Sequence, residues 1–199
     1  MNKVCGWWLL ALLMGVTSAS SAAPIMPSGQ GASPMPTLPP DTRCRISVSN
    51  PVVDYGLMSR WQLEDIGAGS VSPGTRSLTV NVVCPYSRTI ALRVEGERRG
   101  AGLRYGEHGA TRLRLLDAQL DGNTVELRTV TSAGVITENR GHRLALTAEQ
   151  RVAPVIQGRL AEGKILVARL EVQPVMAAGH ARVSSRQRNE TMIKLVLAE

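Results

Sequence analysis

The chain has 199 residues, of which 43% are apolar, 20% charged and only 3% aromatic, with no phenylalanine. This length fits one domain, or at most two, with a core built from aliphatic side chains. The formal net charge is +7. The basic residues are nevertheless spread along the chain without a block, and the scarcity of aromatic side chains argues against a stacking platform for nucleic acid.

The first 22 residues have the pattern of a secretory signal peptide. Lys3 precedes an apolar run at 4–16, and small residues follow at 18–23. The run is too short to span a bilayer, so we expect cleavage and no membrane insertion of the product. Cleavage after Ala22 satisfies the small-x-small rule, and cleavage after Ala23 is the alternative.

Residues 23–43 differ in composition from the rest of the chain. The stretch 24–40 contains six prolines, with glycine and serine among them, and no charged residue. This composition predicts an extended, largely disordered arm. The predicted organisation is therefore a signal peptide at 1–22, a flexible Pro-rich arm at 23–43 and a folded domain at 44–199.

Two cysteines remain after removal of the signal peptide, which contains Cys5. An exported chain folds in an oxidising compartment, where Cys44 and Cys84 should pair. A closed loop of this length contributes about 4 kcal/mol to the free energy of unfolding in the chain-entropy treatment. The alternatives are two free thiols or a metal site, but the three histidines stand apart from the cysteines and from one another in the sequence.

From Cys44 onward, apolar and polar residues alternate in short runs bounded by Gly, Pro, Asn or Asp. In the runs 44–48 and 78–84, each cysteine falls on the same face as the aliphatic residues of its own run. A bridge would therefore lie in the core. Further predicted strands lie at 89–94, 111–116, 124–130, 142–147, 164–175 and 191–197.

Two turn-rich stretches separate some of these runs. The pair Asp121-Gly122 lies between two alternating runs and predicts a β-hairpin. The glycine-rich stretch 100–106 is expected to be a mobile loop. Seven or eight strands with no long helical pattern predict an all-β domain, a β-sandwich in the first place and a closed barrel as the alternative.

No pattern of catalytic residues stands out. The sequence has no Gly-x-Ser-x-Gly turn, and no histidine has an acidic neighbour at a suggestive spacing. No pair of carboxylates is singled out for glycosidase chemistry. We therefore expect no enzymatic activity, no cofactor and no metal.

After its signal peptide and short leader, the chain carries Cys44-x-Ile46-x-Val48 and then the step Val53-Asp54-Tyr55-Gly56. The motif Leu78-x-Val80-x-Val82-x-Cys84 follows, and an aliphatic strand at 192–197 closes the chain. Over residues 44–199 this order resembles the pilin-like subunits of bacterial chaperone–usher fimbriae. It is most similar to the divergent fimbrial-like subunits of Gram-negative bacteria.

The resemblance implies an incomplete immunoglobulin-like β-sandwich whose missing strand comes from another polypeptide. The donors would be a periplasmic chaperone and then the arm of a neighbouring subunit, with an outer-membrane usher as a further partner. The implied location is the periplasm in transit and then a cell-surface fimbria. In such subunits the first and last strands border the gap. The implied groove residues are Ile46, Val48, Ile193, Leu195 and Leu197.

Two departures from the family pattern concern polymerisation. The arm offers only four large apolar residues among prolines, which donate no backbone hydrogen bond, so it is a poor donor strand. The closing strand also lacks the aromatic residue that such subunits usually carry near the C-terminus. A subunit that accepts a strand but donates none belongs at a fibre tip, which predicts a minor or tip-proximal subunit.

The alternative is a complete secreted or periplasmic β-sandwich that binds an anionic glycan or another surface ligand. Arginines cluster in the sequence around the glycine-rich stretch, and guanidinium groups suit acidic ligands. A solvated face whose arginine stems cover apolar surface explains the same cluster. The arginines assigned to this ligand loop are Arg98, Arg99, Arg104, Arg112 and Arg114.

Overall fold

A computed structural model describes residues 41–137 and 143–198 of the chain. The predicted signal peptide at 1–22 lies outside the described residues. So does the predicted arm at 23–43, apart from its last three residues. The start of the strand predicted at 142–147 also lies outside them.

The described residues form fifteen β-strands and one 3-10 helix, Arg60–Gln62. The first eight strands are β1 (Arg45–Val48), β2 (Glu64–Asp65), β3 (Ser70–Ser72), β4 (Arg76–Thr89), β5 (Leu92–Glu95), β6 (Arg98–Arg99), β7 (Gly102–Tyr105) and β8 (Gly109–Leu120). The other seven are β9 (Asn123–Thr124), β10 (Glu126–Val130), β11 (Arg143–Leu146), β12 (Arg151–Ile156), β13 (Arg159–Leu160), β14 (Glu162–Ala177) and β15 (Lys194–Leu197).

The strands make two antiparallel sheets. The larger sheet has the order β1-β4-β14-β8-β7-β6, with β9 and β11 pairing with β8 and β3 joining β2 to the end of β14. The smaller sheet has the order β10-β12-β5-β15, with β13 on β12. The first and last strands of the described chain therefore belong to different sheets.

One hydrophobic core includes side chains from both sheets. Val82 and Leu166, which are opposite each other on β4 and β14, are at most 1% exposed, and so are Leu92 and Val152 in the smaller sheet. The alternation that predicted β4 and β14 places their aliphatic residues on this inner face. The all-β prediction is confirmed, and the two curled sheets are consistent with a β-sandwich.

The predicted number of strands was too low. The largest omission is β12, whose residues Val152 to Val155 are all buried. A run that is buried on consecutive positions and contains Pro154 shows no alternation, so the periodicity criterion did not detect it.

The expectation of a mobile loop at 100–106 was wrong, because most of this stretch belongs to the hairpin of β6 and β7. Gly102 faces Arg99 across the hairpin, and β7 pairs with β8 on its other side. A Cβ atom on Gly102 would lie 2.4 Å from the carbonyl oxygen of Thr111. The glycine that suggested a loop therefore permits close strand packing.

The predicted hairpin at Asp121-Gly122 is confirmed, and it joins β8 to β9. Both residues have positive φ, +50° and +82°, as a two-residue type I′ turn requires. The Asp121 carboxylate also accepts the backbone N–H groups of Lys164 and Ile165, at 3.0 and 2.8 Å. The turn thereby holds the irregular register between β14 and β4 at Gly163.

Candidate functional site

The disulfide predicted from the sequence is present between Cys44 and Cys84, whose Cα atoms are 4.1 Å apart. Cys44 immediately precedes β1, and the β1–β4 register places it opposite Cys84. Cys84 is buried, whereas Cys44 is half-buried and packs against the core. The bridge therefore fixes the first strand covalently to the centre of the larger sheet.

Strand β1 is the last strand at one end of the larger sheet, and β15 is the last strand at one end of the smaller sheet. In the described part of the chain, β1 pairs only with β4 and β15 pairs only with β5. Cα atoms of β1 and β15 approach within 8 Å of each other, but the two strands form no ladder. Each strand therefore has one side paired and one side directed towards this edge, which we call the β1/β15 edge.

Four of the five predicted groove residues lie on the β1/β15 edge, and Ile193 immediately precedes β15. Their side chains are half-buried and pack against the core, in contrast to the fully buried side chains deeper between the sheets. Leu78 and Cys44 have the same intermediate burial. The groove residues that the structure brings together are Ile46, Val48, Ile193, Leu195 and Leu197.

The direction of the backbone groups on this edge follows from the pairing. The N–H of Ser49 donates to the carbonyl oxygen of Thr79, and the N–H of Ala198 donates to that of Ala91, both at 2.9 Å. In an antiparallel ladder, residues bonded to the partner strand alternate with residues whose N–H and C=O point to the other side. Since Ser49 and Ala198 are bonded to the neighbouring strand, the residues one and three positions before each of them direct their backbone groups to the edge. These are Ile46, Val48, Leu195 and Leu197.

Charged side chains flank β15 on the outer face. Lys194 donates to Glu95 on the neighbouring strand, with Nζ 3.0 Å from the carboxylate, and Arg93 donates to the same carboxylate at 2.6 Å. The hydrogen bond from Lys194 is the main cause that holds the pKa of Glu95 below its usual value. A cavity of about 620 Å³ beside this pair is lined by further acidic and basic side chains, including Glu97 and Arg104.

The five arginines assigned to an anionic ligand do not form one group. They occupy strands β6, β7 and β8, not a loop. Arg104 is paired with Glu97, at 2.8 Å, and Arg114 faces Glu171 across strands. Arg99 and Arg112 line a common cavity, of about 270 Å³.

The structure brings together two histidines that no sequence pattern had connected. His108 precedes β8 and His180 follows β14, and their rings are stacked with centroids 4.2 Å apart. His108 also lines the cavity of Arg99 and Arg112. The two histidines are far apart in the sequence, so only the pairing of β8 with β14 reveals their proximity.

Other surface features were also missed. Trp61, on the 3-10 helix, is 93% exposed, and Val52 and Leu57 in the same segment are exposed as well. Across residues 41–137 and 143–198, no three His, Cys, Asp or Glu side chains converge as metal ligands would. Within these ranges, no helix has the length and apolarity needed to cross a membrane.

No protein-family model matches this sequence, and no curated protein sequence matches it significantly.

Proposed function

We propose that the chain is a structural subunit of a surface fimbria, minor or tip-proximal in the fibre, that receives a strand from another polypeptide at the β1/β15 edge. One observation carries the proposal. The same four residues, Ile46, Val48, Leu195 and Leu197, combine half-buried aliphatic side chains with backbone groups directed towards this edge.

An inserted strand would bury the apolar side chains of the edge and pair with its backbone groups. Its alternate apolar side chains would cover the half-buried aliphatic residues, and its backbone would pair with the outward N–H and C=O groups. The strand order supports this proposal, because the first and last strands border the missing position in the incomplete immunoglobulin-like sandwich that the resemblance implies.

The partners of this function are a periplasmic chaperone, an outer-membrane usher and neighbouring fimbrial subunits. The proposed route runs through the periplasm to the cell surface. It rests on the predicted signal peptide and is supported by the disulfide, which oxidising compartments favour.

A fused donor strand tests the proposal. A strand with Ile or Val at alternate positions is joined to the C-terminus by a flexible Gly/Ser linker. We expect a monomer with a higher Tm than the unfused chain, because the fused strand buries the apolar edge intramolecularly. The matched control is a fused strand of the same length that has proline at every second position. Proline has no backbone N–H, so this strand lacks hydrogen-bond donors that pairing requires.

The alternative function, a complete sandwich that binds an anionic glycan, predicts a different result. An unfused chain that is monomeric and refolds reversibly, with a Tm that the donor strand leaves unchanged, would contradict the fimbrial proposal. The fimbrial proposal is supported if the unfused chain aggregates, the fused donor strand prevents the aggregation, and the proline control does not prevent it.

A further inference from the structure

The cavity between the β6–β7 hairpin and the ends of β8 and β14 concentrates positive charge. Arg99, Arg112 and His108 line it, together with the hydroxyl-bearing Ser70 of β3. Among the described residues, no carboxylate lines the cavity, although Glu107 lies 3.6 Å from the imidazole of His108. An anion is therefore the complementary ligand.

The register of three strands explains why the two guanidinium groups share this cavity. Arg99 is opposite Gly102 in the β6–β7 hairpin, and the β7–β8 register, in which Leu103 faces Thr111, places Gly102 opposite Arg112. The two arginines thus stand on the same face, about 10 Å apart at the backbone, since adjacent strands are about 4.8 Å apart. Between them is a residue without a side chain.

A side chain at position 102 would collide with β8, because a Cβ atom on Gly102 would lie 2.4 Å from the carbonyl oxygen of Thr111. The glycine is therefore required by close strand packing, and it places no side chain between the two arginines. Within the described residues, neither Arg99 nor Arg112 forms an ion pair, whereas Arg104 of the same hairpin is paired with Glu97. Two guanidinium groups on the same face without a carboxylate partner offer charge-assisted hydrogen bonds to an anion that binds between them.

The histidines complete the site. His108 lines the cavity, and the ring of His180 stacks against its imidazole with the centroids 4.2 Å apart. The cavity volume of about 270 Å³ is slightly below the range usual for ligand sites and suits one sugar ring or a free oxyanion.

We propose that Arg99, Arg112 and His108 form a binding site for an oxyanion group, a carboxylate, sulfate or phosphate, with Gly102 between the two arginines. The proposal is independent of the β1/β15 edge and applies to the domain whether or not that edge accepts a strand. The glycan carboxylate and the free inorganic ion share this chemistry, and the choice of probe distinguishes them.

Calorimetric titration of the full secreted chain with sodium glucuronate, sodium sulfate and inorganic phosphate, at constant ionic strength, tests the site. We expect Arg99→Gln and Arg112→Gln each to weaken binding about tenfold, since each removes a charge-assisted contact. Arg98→Gln is the matched control, because Arg98 is on the same strand, does not line the cavity, and should change affinity less than about twofold.

The pattern of outcomes decides the proposal. Tighter binding of glucuronate than of the inorganic ions assigns the site to an acidic sugar, and the reverse assigns it to a free oxyanion. Absence of binding by all three probes would overturn the proposal. So would equal weakening by Arg98→Gln, which would indicate nonspecific attraction to a basic surface. All four proteins are compared by circular dichroism, and these exposed positions should leave the fold unchanged.

Discussion

Tyr55 shows how a single side chain anchors the segment after β1 to the larger sheet. Its hydroxyl donates to the carbonyl oxygen of Val172 on β14, at 3.1 Å. The guanidinium of Arg76 lies over its ring, 5.5 Å from the centroid. Because Val172 is opposite Arg76 on β4, both contacts fix the segment to the same point of the sheet.

Removal of the Tyr55 hydroxyl should weaken this anchor. We expect Tyr55→Phe to lower the free energy of unfolding by about 1 kcal/mol, since a net hydrogen bond is worth about that much and the ring contact persists. Tyr86→Phe is the control, because Tyr86 is 59% exposed and should change stability little. Chemical denaturation of the two variants and the parent measures both effects. Equal losses would show that the Val172 contact contributes nothing specific.

The same hydroxyl makes stability depend on alkaline pH. Burial raises the pKa of Tyr55 to about 12, above the ordinary value of 10.0 for a tyrosine. A group whose pKa is higher in the folded than in the unfolded state contributes to the free energy of unfolding. Here the contribution is fully present below pH 10 and is lost as the pH rises from 10 to 12. We expect the parent to lose stability across this window more steeply than Tyr55→Phe. Parallel denaturation curves at each pH measure the difference, and identical slopes would contradict it.

At the scale of elements, the β8–β9 turn and the irregular register of β14 depend on one carboxylate. Asp121 satisfies two backbone N–H groups of β14, and its own N–H donates to the carbonyl oxygen of Ile165, at 2.8 Å. We expect Asp121→Ala to lower the free energy of unfolding by about 1–3 kcal/mol. Asp121→Asn, which keeps an acceptor and tolerates positive φ, should cost less.

The control for this prediction is Glu162→Ala, which removes an exposed carboxylate from β14, the strand that Asp121 contacts. Thermal unfolding of the three variants measures the differences. If Asp121→Ala and Glu162→Ala have the same Tm, the hydrogen bonds of the Asp121 carboxylate do not stabilise the turn.

The edge strands give an independent prediction that concerns backbone atoms alone. When a donor strand is bound, the amide hydrogens of Ile46, Val48, Leu195 and Leu197 should exchange more slowly, because these groups face the β1/β15 edge. Those of Ser47 and Val196 should be protected already in the free chain, since they face β4 and β5. Hydrogen exchange followed by NMR measures both sets. Slower exchange at Ser47 and Val196 alone would indicate general stabilisation and no strand pairing.

Alternation predicted the elements that have one buried face and one polar face. In β4 and β14 the aliphatic residues fall on every second position, so period two located both strands and oriented Cys84 correctly. On β1 and β15 the same alternation placed aliphatic side chains against the core. In these strands the local pattern and the tertiary environment agree.

Elements without alternation, and contacts between distant residues, could not be predicted in this way. In β12 the run from Val152 to Val155 is buried on successive positions, and in β7 a glycine is required by close strand approach. The stack of His108 on His180 depends on how β8 and β14 pair. Pairing between distant strands is a property of the whole fold and leaves no local signal.

For the whole molecule, one core is shared by the two sheets, and the half-buried part of this core includes the β1/β15 edge. The disulfide holds β1 in place by bonding it to β4, so the edge strand cannot separate from the sheet without carrying its partner along. A preorganised edge of this kind loses little conformational entropy when a strand binds. The disulfide therefore favours the proposed binding of a strand at the β1/β15 edge.

In the proposed fimbria, the place of this chain depends on whether its own arm donates a strand. Pairing along an edge requires backbone N–H groups at alternate positions, and six prolines between 24 and 40 lack them. A synthetic peptide of residues 23–43, mixed with another copy of the purified chain, should therefore form no complex that survives SDS without heating. A designed peptide with alternating Ile and Val is the positive control, because it should insert at the β1/β15 edge and resist SDS. If the natural peptide forms an equally resistant complex, the arm is a competent donor and the proposed subunit belongs within the fibre. If only the designed peptide does, the chain accepts a strand and donates none, as a terminal subunit must.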